Sequence, residues 1–383
     1  MITHQRFDDA VVGAGILGLA HAYHLARRGR RVIVFERTPH ATGASIRNFG
    51  MLWPIGQPPG PLRQMAMRSR EFWLEVLASS GLWHEQTGSL HLAYHDDEAQ
   101  VLREFGQEMG AQGEDVELLR PEQVRQHTTA VKRDGLRLAL WSPHEVCVDP
   151  REVVAGLSRW LASQFGVVFQ FGRTITAVET QQVNSGPISW STDRVWVCSG
   201  DELSLLFADQ FDACGLIRCK LQMMRSHPCG QEWRIGPMLA GGLTLRHYSS
   251  FQNCPSLPAL RRRVSEESPW FDRHGIHVLV SQNGLGELTM GDSHEYGASI
   301  EPFDKAEIDE YILDYLNTFV DVPNLRIAAR WHGTYAKHPT APYVLFHPRS
   351  GVTAITGVGG AGMTLSFGLA EQVVARELGE PEV

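Results

Sequence analysis

Three glycines near the amino terminus have the spacing of a nucleotide-binding turn. Gly13, Gly15 and Gly18 form the pattern G-x-G-x-x-G directly after an apolar run and at the start of a helical pattern. The first glycine permits a tight turn, the second lets the backbone approach a pyrophosphate, and the third lets helix and strand pack closely. The amino-terminal end of the helix also attracts negative charge. The spacing predicts a dinucleotide cradle, although the same glycines could serve packing alone.

An acidic residue follows at the distance that this interpretation requires. Glu36 ends the next apolar run, where its carboxylate would accept hydrogen bonds from the ribose of an adenosine. A carboxylate at this position favours FAD or NAD over NADP, because it would repel the additional phosphate of NADP.

A second glycine-rich stretch near the carboxyl terminus favours FAD. Gly357, Gly359, Gly360 and Gly362 precede a helix that is predicted to begin near Met363. Backbone N–H groups and the positive end of a helix dipole at such a turn stabilise the negative charge that develops around N1 and C2=O of a reduced flavin. The alternative is a tight turn that serves packing only.

Local patterns indicate two kinds of sheet. Residues 7–12 and 31–35 are predicted strands that flank a predicted helix at 16–28, and their continuous apolar character is typical of buried parallel strands. The blocks 81–140 and 216–292 contain short, half-polar strands, which indicates an antiparallel sheet. The chain is therefore expected to combine a βαβ-based nucleotide domain with a second layer.

The composition excludes several classes of protein. The 383-residue chain carries a formal net charge of -8, which argues against an extended nucleic-acid surface. The apolar stretch near the amino terminus follows acidic residues and is interrupted by regular glycines, so neither a signal peptide nor a membrane span is predicted. The six cysteines include no Cys-x-x-Cys pair, which fits a reducing compartment and predicts a cytoplasmic location. Peripheral contact with a membrane stays open.

Histidine spacing predicts no metal site. His21 and His24 lie one helical turn apart, as do His274 and His277. Neither pair has a nearby cysteine or acid that would complete a metal shell.

Longer motifs resemble those of a known family over nearly the whole chain. The segments "VVGAGILGLAHAYHLARRGRRVIVFER", "TGASIRNFGMLWP", the "VDP" before the central helix and "GVGGAGMTLSFGLAEQVV" are similar to those of the D-amino acid oxidase and glycine/sarcosine oxidase family of FAD-dependent amine oxidoreductases. The details of "GASIRNFGMLWPIGQPPG" and "CKLQMMRSHP" resemble a subgroup proposed to deaminate aminophosphonates related to 2-aminoethylphosphonate.

The patterns and this resemblance together predict an α/β fold. It has a Rossmann-like FAD-binding domain of the glutathione reductase type, interleaved with a smaller α+β substrate domain that carries a mainly antiparallel sheet. The predicted FAD-binding domain is discontinuous and comprises residues 1–80, 141–215 and 325–383. The predicted substrate domain comprises residues 81–140 and 216–324.

The resemblance also assigns residues to the cofactor. It implies that the flavin and pyrophosphate are bordered by Ala44, Ser45, Asn48, Gly50 and Met51. It also implies that Val178 offers its backbone to the adenine and that Gly200 passes close to the dinucleotide. Some members attach the flavin covalently through Cys or His, and the loop 43–54 has neither, so dissociable FAD is expected. The full set of expected cofactor residues is Gly13, Gly15, Ile16, Gly18, Glu36, Arg37, Ala44, Ser45, Asn48, Gly50, Met51, Val178, Gly200, Gly359, Gly360, Gly362, Met363 and Thr364.

One departure from the family bears on the substrate. Members that act on amino carboxylates often have an arginine two positions after Trp-x-Gly, whereas Trp331-His332-Gly333 is followed here by Thr334 and Tyr335. A simple carboxylate clamp is therefore in doubt.

Other side chains are candidates for binding a different anion. Lys337 and His338 follow directly and could hold a phosphonate by charge-assisted hydrogen bonds. Arg47, in the loop of residues 43–54 that is called the flavin loop below, could assist, or could form a structural ion pair. The candidate substrate-binding residues are Arg47, His247, Tyr248, Tyr335, Lys337 and His338.

The resemblance implies oxidation of a primary or secondary amine. The α-carbon would transfer a hydride to flavin N5. A dedicated base is not needed if the bound amine is already neutral. Oxygen or a quinone would then reoxidise the flavin. The alternatives are a glycine/sarcosine or D-amino acid oxidase or dehydrogenase, an NAD-dependent dehydrogenase, and a non-catalytic or redox-sensing flavoprotein. Cys198 beside Gly200 keeps the last of these open. The oligomeric state is not predicted.

Overall fold

A computed structural model describes residues 6–230 and 232–381. The strands are β1 Arg6–Val12, β2 Val32–Glu36, β3 Met51–Leu52, β4 His84–Glu85, β5 Ser89–Ala93, β6 Glu117–Leu119, β7 Leu138–Ser142, β8 Val146–Val148, β9 Val168–Phe171, β10 Ala177–Glu179, β11 Gln182–Ser185, β12 Ile188–Val197, β13 Ile217–Ser226, β14 Met238–Ala240, β15 Leu279–Gln282, β16 Leu288–Gly291, β17 Glu295–Gly297, β18 Ile327–Lys337, β19 Val344–Arg349 and β20 Val352–Thr356. The helices are α1 Ile16–Arg27, α2 Pro61–Ser80, α3 Asp96–Ala111, α4 Pro121–Val124, α5 Pro150–Phe165, α6 Ala208–Ala213, α7 Leu257–Glu267, α8 Pro269–Arg273, α9 Ala306–Phe319 and α10 Gly362–Glu377.

The first sheet brings the two glycine-rich turns to the same edge. Strands β20, β12, β1, β2 and β9 run parallel in that order, and Val195 of β12 pairs with both Ala10 of β1 and Val352 of β20. A β10–β11 hairpin and strand β19 complete the sheet with antiparallel pairings. Because parallel strands end at the same edge, the turn after β1 and the turn after β20 lie two strands apart. The predicted βαβ unit is confirmed.

Helix α1 lies inside the nucleotide domain. Every residue from Ile16 to Ala26 is buried, because helices α5 and α10 pack against it. A Cβ on Gly18 would lie 1.9 Å from the carbonyl oxygen of Gly13, so only glycine permits the close approach of this helix to the turn. The third glycine of the motif thus has the packing role that the sequence predicts.

The second sheet is mainly antiparallel, as predicted. Its order is β17-β13-β16-β15-β14-β5-β7-β6, and within this order only the β14–β5 pair is parallel. Strand β18 also pairs with β13, antiparallel and along its whole length. A small third sheet, β3-β8-β4, joins the flavin loop to the strand before α5.

Strand β18 departs from the predicted domain boundary. The boundary at residue 325 assigned it to the FAD-binding domain, but it pairs with β13 from Ile217↔Lys337 to Ser226↔Ile327 and so belongs to the second sheet. Strand β18 therefore extends from the second sheet to the carboxyl-terminal glycine loop. There Lys337 forms an isolated β-bridge with Val358.

Within the described residues, the helices are all too short or too polar to cross a bilayer. The longest helix of the list, α2, has eight buried positions distributed among charged residues. The three- and four-residue spacing of these positions makes it an amphipathic helix.

Buried histidines predict that stability falls with acidification. Burial lowers the pKa of His21 to about 4 and that of His91 to about 3, from an ordinary 6.5. Between these values and 6.5 the unfolded chain binds protons that the folded chain does not, so the free energy of unfolding decreases as pH falls below 6.5. Each histidine contributes about 2 kcal/mol of loss at pH 5.

Denaturant unfolding from pH 7.5 to 5 measures this slope. We expect His91→Gln to make the slope shallower by about 1.4 kcal/mol per pH unit, since one fewer proton is taken up on unfolding. Wild type and variant are compared at the same series of pH values, so that the difference in slope isolates the contribution of this side chain. Equal slopes for wild type and His91→Gln would contradict the assignment.

Candidate cofactor and substrate site

The turn after β1 is built for glycine at its first position. Gly13 has φ of +108°, and a Cβ there would lie 2.3 Å from the carbonyl oxygen of Cys198 on the neighbouring strand end. Both the backbone conformation and the space exclude a side chain. The two strand ends are thereby held close enough to form one continuous edge.

The amino-terminal end of α1 faces the flavin loop. The N–H of Ile16 donates a hydrogen bond of 2.9 Å to Oγ of Ser45, and a Cβ on Gly15 would lie 3.1 Å from that same oxygen. No side chain of the preceding residue caps the helix. The N–H groups of the first turn and the Ser45 hydroxyl together fit a pyrophosphate, which the helix dipole attracts.

Glu36 lies beside this turn at the end of β2. Its Oε2 accepts a hydrogen bond from the N–H of Ala14 at 3.1 Å, and its Oε1 accepts from the N–H and hydroxyl of Thr38 at 3.0 and 2.8 Å. A carboxylate has about four acceptor positions, so capacity remains for ribose hydroxyls. The adjacent Arg37 forms a 2.7 Å ion pair with Glu202.

An open cleft of about 480 Å³ runs from Gly13 and Glu36 toward the β9–β10 connection. Arg173, Thr174 and Ile175 line its far wall, whereas Val178 does not and instead pairs with Val183 in the buried β10–β11 hairpin. The backbone contact of Val178 with the adenine stays a prediction. The cleft has room for an adenosine moiety.

Hydrogen bonds fix the conformation of the flavin loop. Asn48 donates from Nδ2 to the carbonyls of Ala44 and Ser45, both at 3.0 Å, and its Oδ1 accepts from the N–H of Gly50 at 2.8 Å. Gly50 has φ of +70°, and a Cβ there would lie 2.0 Å from the Val148 carbonyl oxygen. The loop leads into buried Met51 on β3.

The carboxyl-terminal glycine loop forms a second cradle. Gly359 has φ of +58° and begins a 3₁₀ turn that runs directly into α10 at Gly362. Oγ1 of Thr364 accepts from the N–H of Trp53 at 2.9 Å, and the Met363 carbonyl accepts from the Trp73 indole at 2.8 Å. These bonds hold the first turn of α10 against the flavin loop and helix α2.

Gly200 connects the ends of β12 and β20. Its carbonyl accepts a hydrogen bond of 2.5 Å from the hydroxyl of Thr356, and its φ is +66°. Ser199 beside it lines the nucleotide cleft. The expected cofactor positions other than Val178 and buried Met51 therefore lie along the sheet edge, the flavin loop or the second glycine turn.

Two expected substrate residues face the second glycine turn. Cβ atoms added to Gly359 and Gly360 would lie 3.6 Å from Lys337 Cγ and 3.7 Å from Tyr335 Oη, respectively. The Lys337 ammonium lies 5.2 Å from the centroid of the Tyr296 ring, a cation–π contact. Burial raises the pKa of Tyr335, and the hydroxyls of Tyr335 and Tyr296 are both protonated donors at neutral pH.

His247 and Tyr248 lie beside this group, with ring centroids 5.1 Å apart. Tyr248 packs near Trp53 of the flavin loop, with ring centroids 6.3 Å apart. Burial lowers the pKa of His247, and the positive charge of Lys337 lowers it further. Four of the six expected substrate residues are therefore brought together.

Arg47 and His338 have other roles. The Arg47 guanidinium donates to the His332 carbonyl at 3.2 Å, and its own carbonyl accepts from the Trp331 indole at 3.4 Å, so this residue joins the flavin loop to β18. Nδ1 of His338 accepts from the N–H of Ala341 at 2.8 Å and closes a turn. His338 does not join the group around Lys337.

Three histidines meet where the sequence predicts no cluster. The rings of His247, His277 and His294 have centroid separations of 3.9, 4.3 and 5.0 Å, and ring nitrogens of all three lie within 4.8 Å of one another. Burial lowers the pKa of each, to about 4 for His294, and raises the pKa of nearby Asp292. Local spacing missed this group because its members come from the end of a 3₁₀ helix and from both sides of the β15–β16 hairpin.

Cys198 is unsuited to redox sensing. Its thiol is buried and lies 3.9 Å from Nδ1 of His21, and burial raises the thiol pKa far above its ordinary value. A neutral, inaccessible thiol reacts slowly with oxidants. All six cysteines are free.

The chain fits FAD along its length. Gly13 and Gly15 keep the turn before α1 free of side chains, Glu36 retains acceptor capacity, and α10 begins at the second turn. In this arrangement the first turn would hold the pyrophosphate and the second would hold the flavin ring.

Comparisons with known proteins agree with this fit. The model of a family described as FAD dependent oxidoreductase (DAO) matches residues 8–376. Glycine oxidase of Geobacillus kaustophilus is 26% identical over 178 residues, 44% of this chain and 47% of the relative, and glycine oxidase of Bacillus licheniformis is 27% identical over 215 residues, 53% of this chain and 56% of the relative. The chain thus spans about half the length of these curated relatives.

Solved structures share the fold over nearly the full length. The crystal structure of glycine oxidase from Geobacillus kaustophilus superposes with a TM-score of 0.80 at 19% identity, covering 100% of this chain and 96% of that one. L-proline dehydrogenase from P. horikoshii gives 0.78 at 19% identity, covering 98% and 95%. With a family model that matches nearly the whole chain, the protein belongs to the DAO family of FAD-dependent oxidoreductases, and FAD is its cofactor.

Proposed function

We propose that the protein oxidises a small primary or secondary amine that carries an anionic group, with an aminophosphonate related to 2-aminoethylphosphonate as the favoured substrate class. FAD supplies the acceptor for the hydride that leaves the α-carbon of the amine. The imine that results hydrolyses in water to a carbonyl compound and the released amine. Oxygen or a quinone reoxidises the cofactor, and the free cysteines support a cytoplasmic location.

The observation that carries this proposal is the group of donors opposite the second glycine turn. Lys337 supplies a positive charge, and Tyr335 and Tyr296 supply protonated hydroxyls from the same region. Tyr335 and Tyr296 both pair with Cys219 and so share one face of the sheet, where three donors would suit the three oxygens of a phosphonate. A charge-assisted bond from an ammonium group is stronger than a neutral one. The anion would thus be anchored within reach of the flavin ring.

The position after Trp331-His332-Gly333 favours a phosphonate over a simple carboxylate. Amino-carboxylate oxidases of the family often have arginine there, whose planar fork matches a planar carboxylate in a bidentate manner. Tyr335 offers a single hydroxyl instead, and its ring is 8% exposed against the β13 strand. The ammonium of Lys337 acts as a point charge that accommodates a tetrahedral anion.

The chain's own residues supply orientation rather than proton transfer. The α-carbon must lie close to flavin N5, and the anion anchor on β18 would fix its distance from the glycine turn. Buried His247 is neutral, and no base is required where the amine binds in its neutral form. Rates should therefore increase with pH as the free amine becomes neutral.

Glycine or sarcosine oxidation is the second candidate, since the comparisons include two glycine oxidases. A substrate panel separates the two candidates: 2-aminoethylphosphonate and its N-methyl derivative, glycine, sarcosine, and D-amino acids, each mixed anaerobically with the FAD-bound protein. We expect the aminophosphonates to bleach the flavin at least about tenfold faster at equal concentration, a difference of about 1.4 kcal/mol. Faster bleaching by glycine or sarcosine would transfer the proposal to the carboxylates.

The same panel tests catalysis itself. A non-catalytic flavoprotein would show no bleaching with any amine, and an NAD-dependent dehydrogenase would carry no yellow chromophore. Peroxide production after oxygen is admitted distinguishes oxygen from a quinone as the acceptor.

A further inference from the structure

A group of polar side chains adjoins the candidate substrate residues and shares His247 with them. It consists of His247 at the end of a 3₁₀ helix, His277 before β15, and Asp292 and His294 after β16. These residues are far apart in sequence, and the β15–β16 hairpin places His277 opposite Asp292 through backbone hydrogen bonds in both directions, of 3.2 and 2.8 Å.

Buried polar atoms of this group lack hydrogen-bond partners. His277 is 3% exposed, and neither of its ring nitrogens is hydrogen-bonded. One carboxylate oxygen of Asp292, which is 4% exposed, is likewise unpartnered, although it lies 3.2 Å from Nε2 of His277. A buried polar atom without a partner costs about 1–3 kcal/mol, so a group that satisfies several of them at once is strongly favoured.

The orientation of His294 is set by a bond on its outer side. Its Nδ1 donates a hydrogen bond of 3.1 Å to the carbonyl oxygen of Gly275. Nε2 therefore carries the free lone pair, and it lies 3.9 Å from the Asp292 carboxylate. A backbone carbonyl on the far nitrogen is the usual support for a histidine that binds a metal through its other nitrogen. Metal-binding imidazoles are neutral, as these buried rings are.

The spacing suits a small cation. Ligands about 2.0–2.1 Å from a tetrahedral metal lie roughly 3.3 Å apart, and the three ring nitrogens here all lie within 4.8 Å of one another. Side-chain rotations that move each ring nitrogen by about an ångström would bring the ligands to bonding distance from an ion. Imidazole nitrogens with one carboxylate oxygen form a donor set that zinc prefers over magnesium or calcium.

We propose that His247, His277 and His294 bind Zn²⁺ and that Asp292, whose carboxylate lies 3.2 Å from Nε2 of His277, turns in as the fourth ligand. Binding requires the ionised carboxylate of Asp292, so any proton on it is released to solvent when the metal enters. The metal satisfies the unpartnered nitrogen and oxygen atoms and gives the buried carboxylate a counter-charge. It binds together the segments that carry Tyr248 and Tyr296, and so stiffens the wall of the proposed anion pocket.

Metal content tests the site on the FAD-bound protein with any affinity tag removed. Protein is treated with a chelator, incubated with one or more equivalents of ZnSO₄, desalted and analysed by elemental mass spectrometry, and affinity is measured by competition with a chromophoric chelator. We expect about one zinc per chain for wild type, and on the order of 100-fold weaker binding for His277→Gln and for His294→Gln. Co²⁺ in place of zinc should give the intense visible d–d absorption of a tetrahedral site.

His274→Gln is the matched control, because His274 is also buried and nearby but lies 3.4 Å from Glu307 outside the group. Bound FAD and circular dichroism show whether each variant is folded. A wild-type protein that retains no zinc would overturn the proposal without reference to any variant, as would equal weakening by His274→Gln and His277→Gln. Neither outcome bears on amine oxidation, which the substrate panel tests separately.

Discussion

Gly13→Ala should yield a protein that no longer retains FAD. The added Cβ meets the Cys198 carbonyl oxygen at 2.3 Å and would have to adopt φ of +108°, so the ends of β1 and β12 must separate. That movement displaces the first turn of α1 from the pyrophosphate position. We expect FAD affinity to fall on the order of 100-fold or more, about 2.7 kcal/mol, measured by flavin fluorescence titration of the apoprotein.

Gly110→Ala provides the control for this experiment. Gly110 lies in helix α3 without a positive φ, and a Cβ there would meet nothing within 4 Å. Alanine should therefore leave FAD affinity unchanged and stabilise the helix slightly. A Gly13→Ala protein that binds FAD as tightly as wild type would show that the turn does not hold the cofactor.

Lys337→Met should remove the main attraction for the anion of the substrate. Methionine retains much of the side-chain volume but neither the charge nor the donors, so a charge-assisted hydrogen bond worth about 1.5–3 kcal/mol is lost. We expect the half-saturation constant for the favoured amine to increase roughly 10- to 150-fold. The limiting rate of anaerobic flavin reduction should change much less, because Lys337 does not contact the reacting carbon in this account.

His338→Ala is the natural comparison, since His338 is adjacent in sequence but closes a turn. Its substitution should alter the half-saturation constant less than about threefold. If Lys337→Met leaves that constant unchanged, the anion is bound elsewhere. If both variants raise it equally, the effect comes from the loop that joins β18 to β19 and not from the ammonium group.

The parts of the fold that the sequence predicts well are those encoded by neighbouring residues. Strand β1, helix α1 and strand β2 follow one another within 31 residues. The glycines indicate the turn, the apolar runs indicate the buried strands, and Glu36 marks the end of the second strand. The antiparallel character of the second sheet was also visible, because its strands alternate between apolar and polar residues.

Long-range pairing explains what the sequence did not show. Strand β18 belongs to the second sheet because it pairs with β13, about 110 residues earlier, and no local pattern specifies that partner. The group of His247, His277 and His294 depends on the same kind of tertiary contact.

A crystal structure of the FAD-bound protein tests the central claim most directly. The account predicts electron density for the pyrophosphate at the N–H groups after Gly13 and beside Ser45, with the isoalloxazine in the space between the loop of residues 43–54 and the turn at Gly359–Gly362. Density for the flavin ring outside that space, or a pyrophosphate that does not contact the first turn of α1, would contradict it.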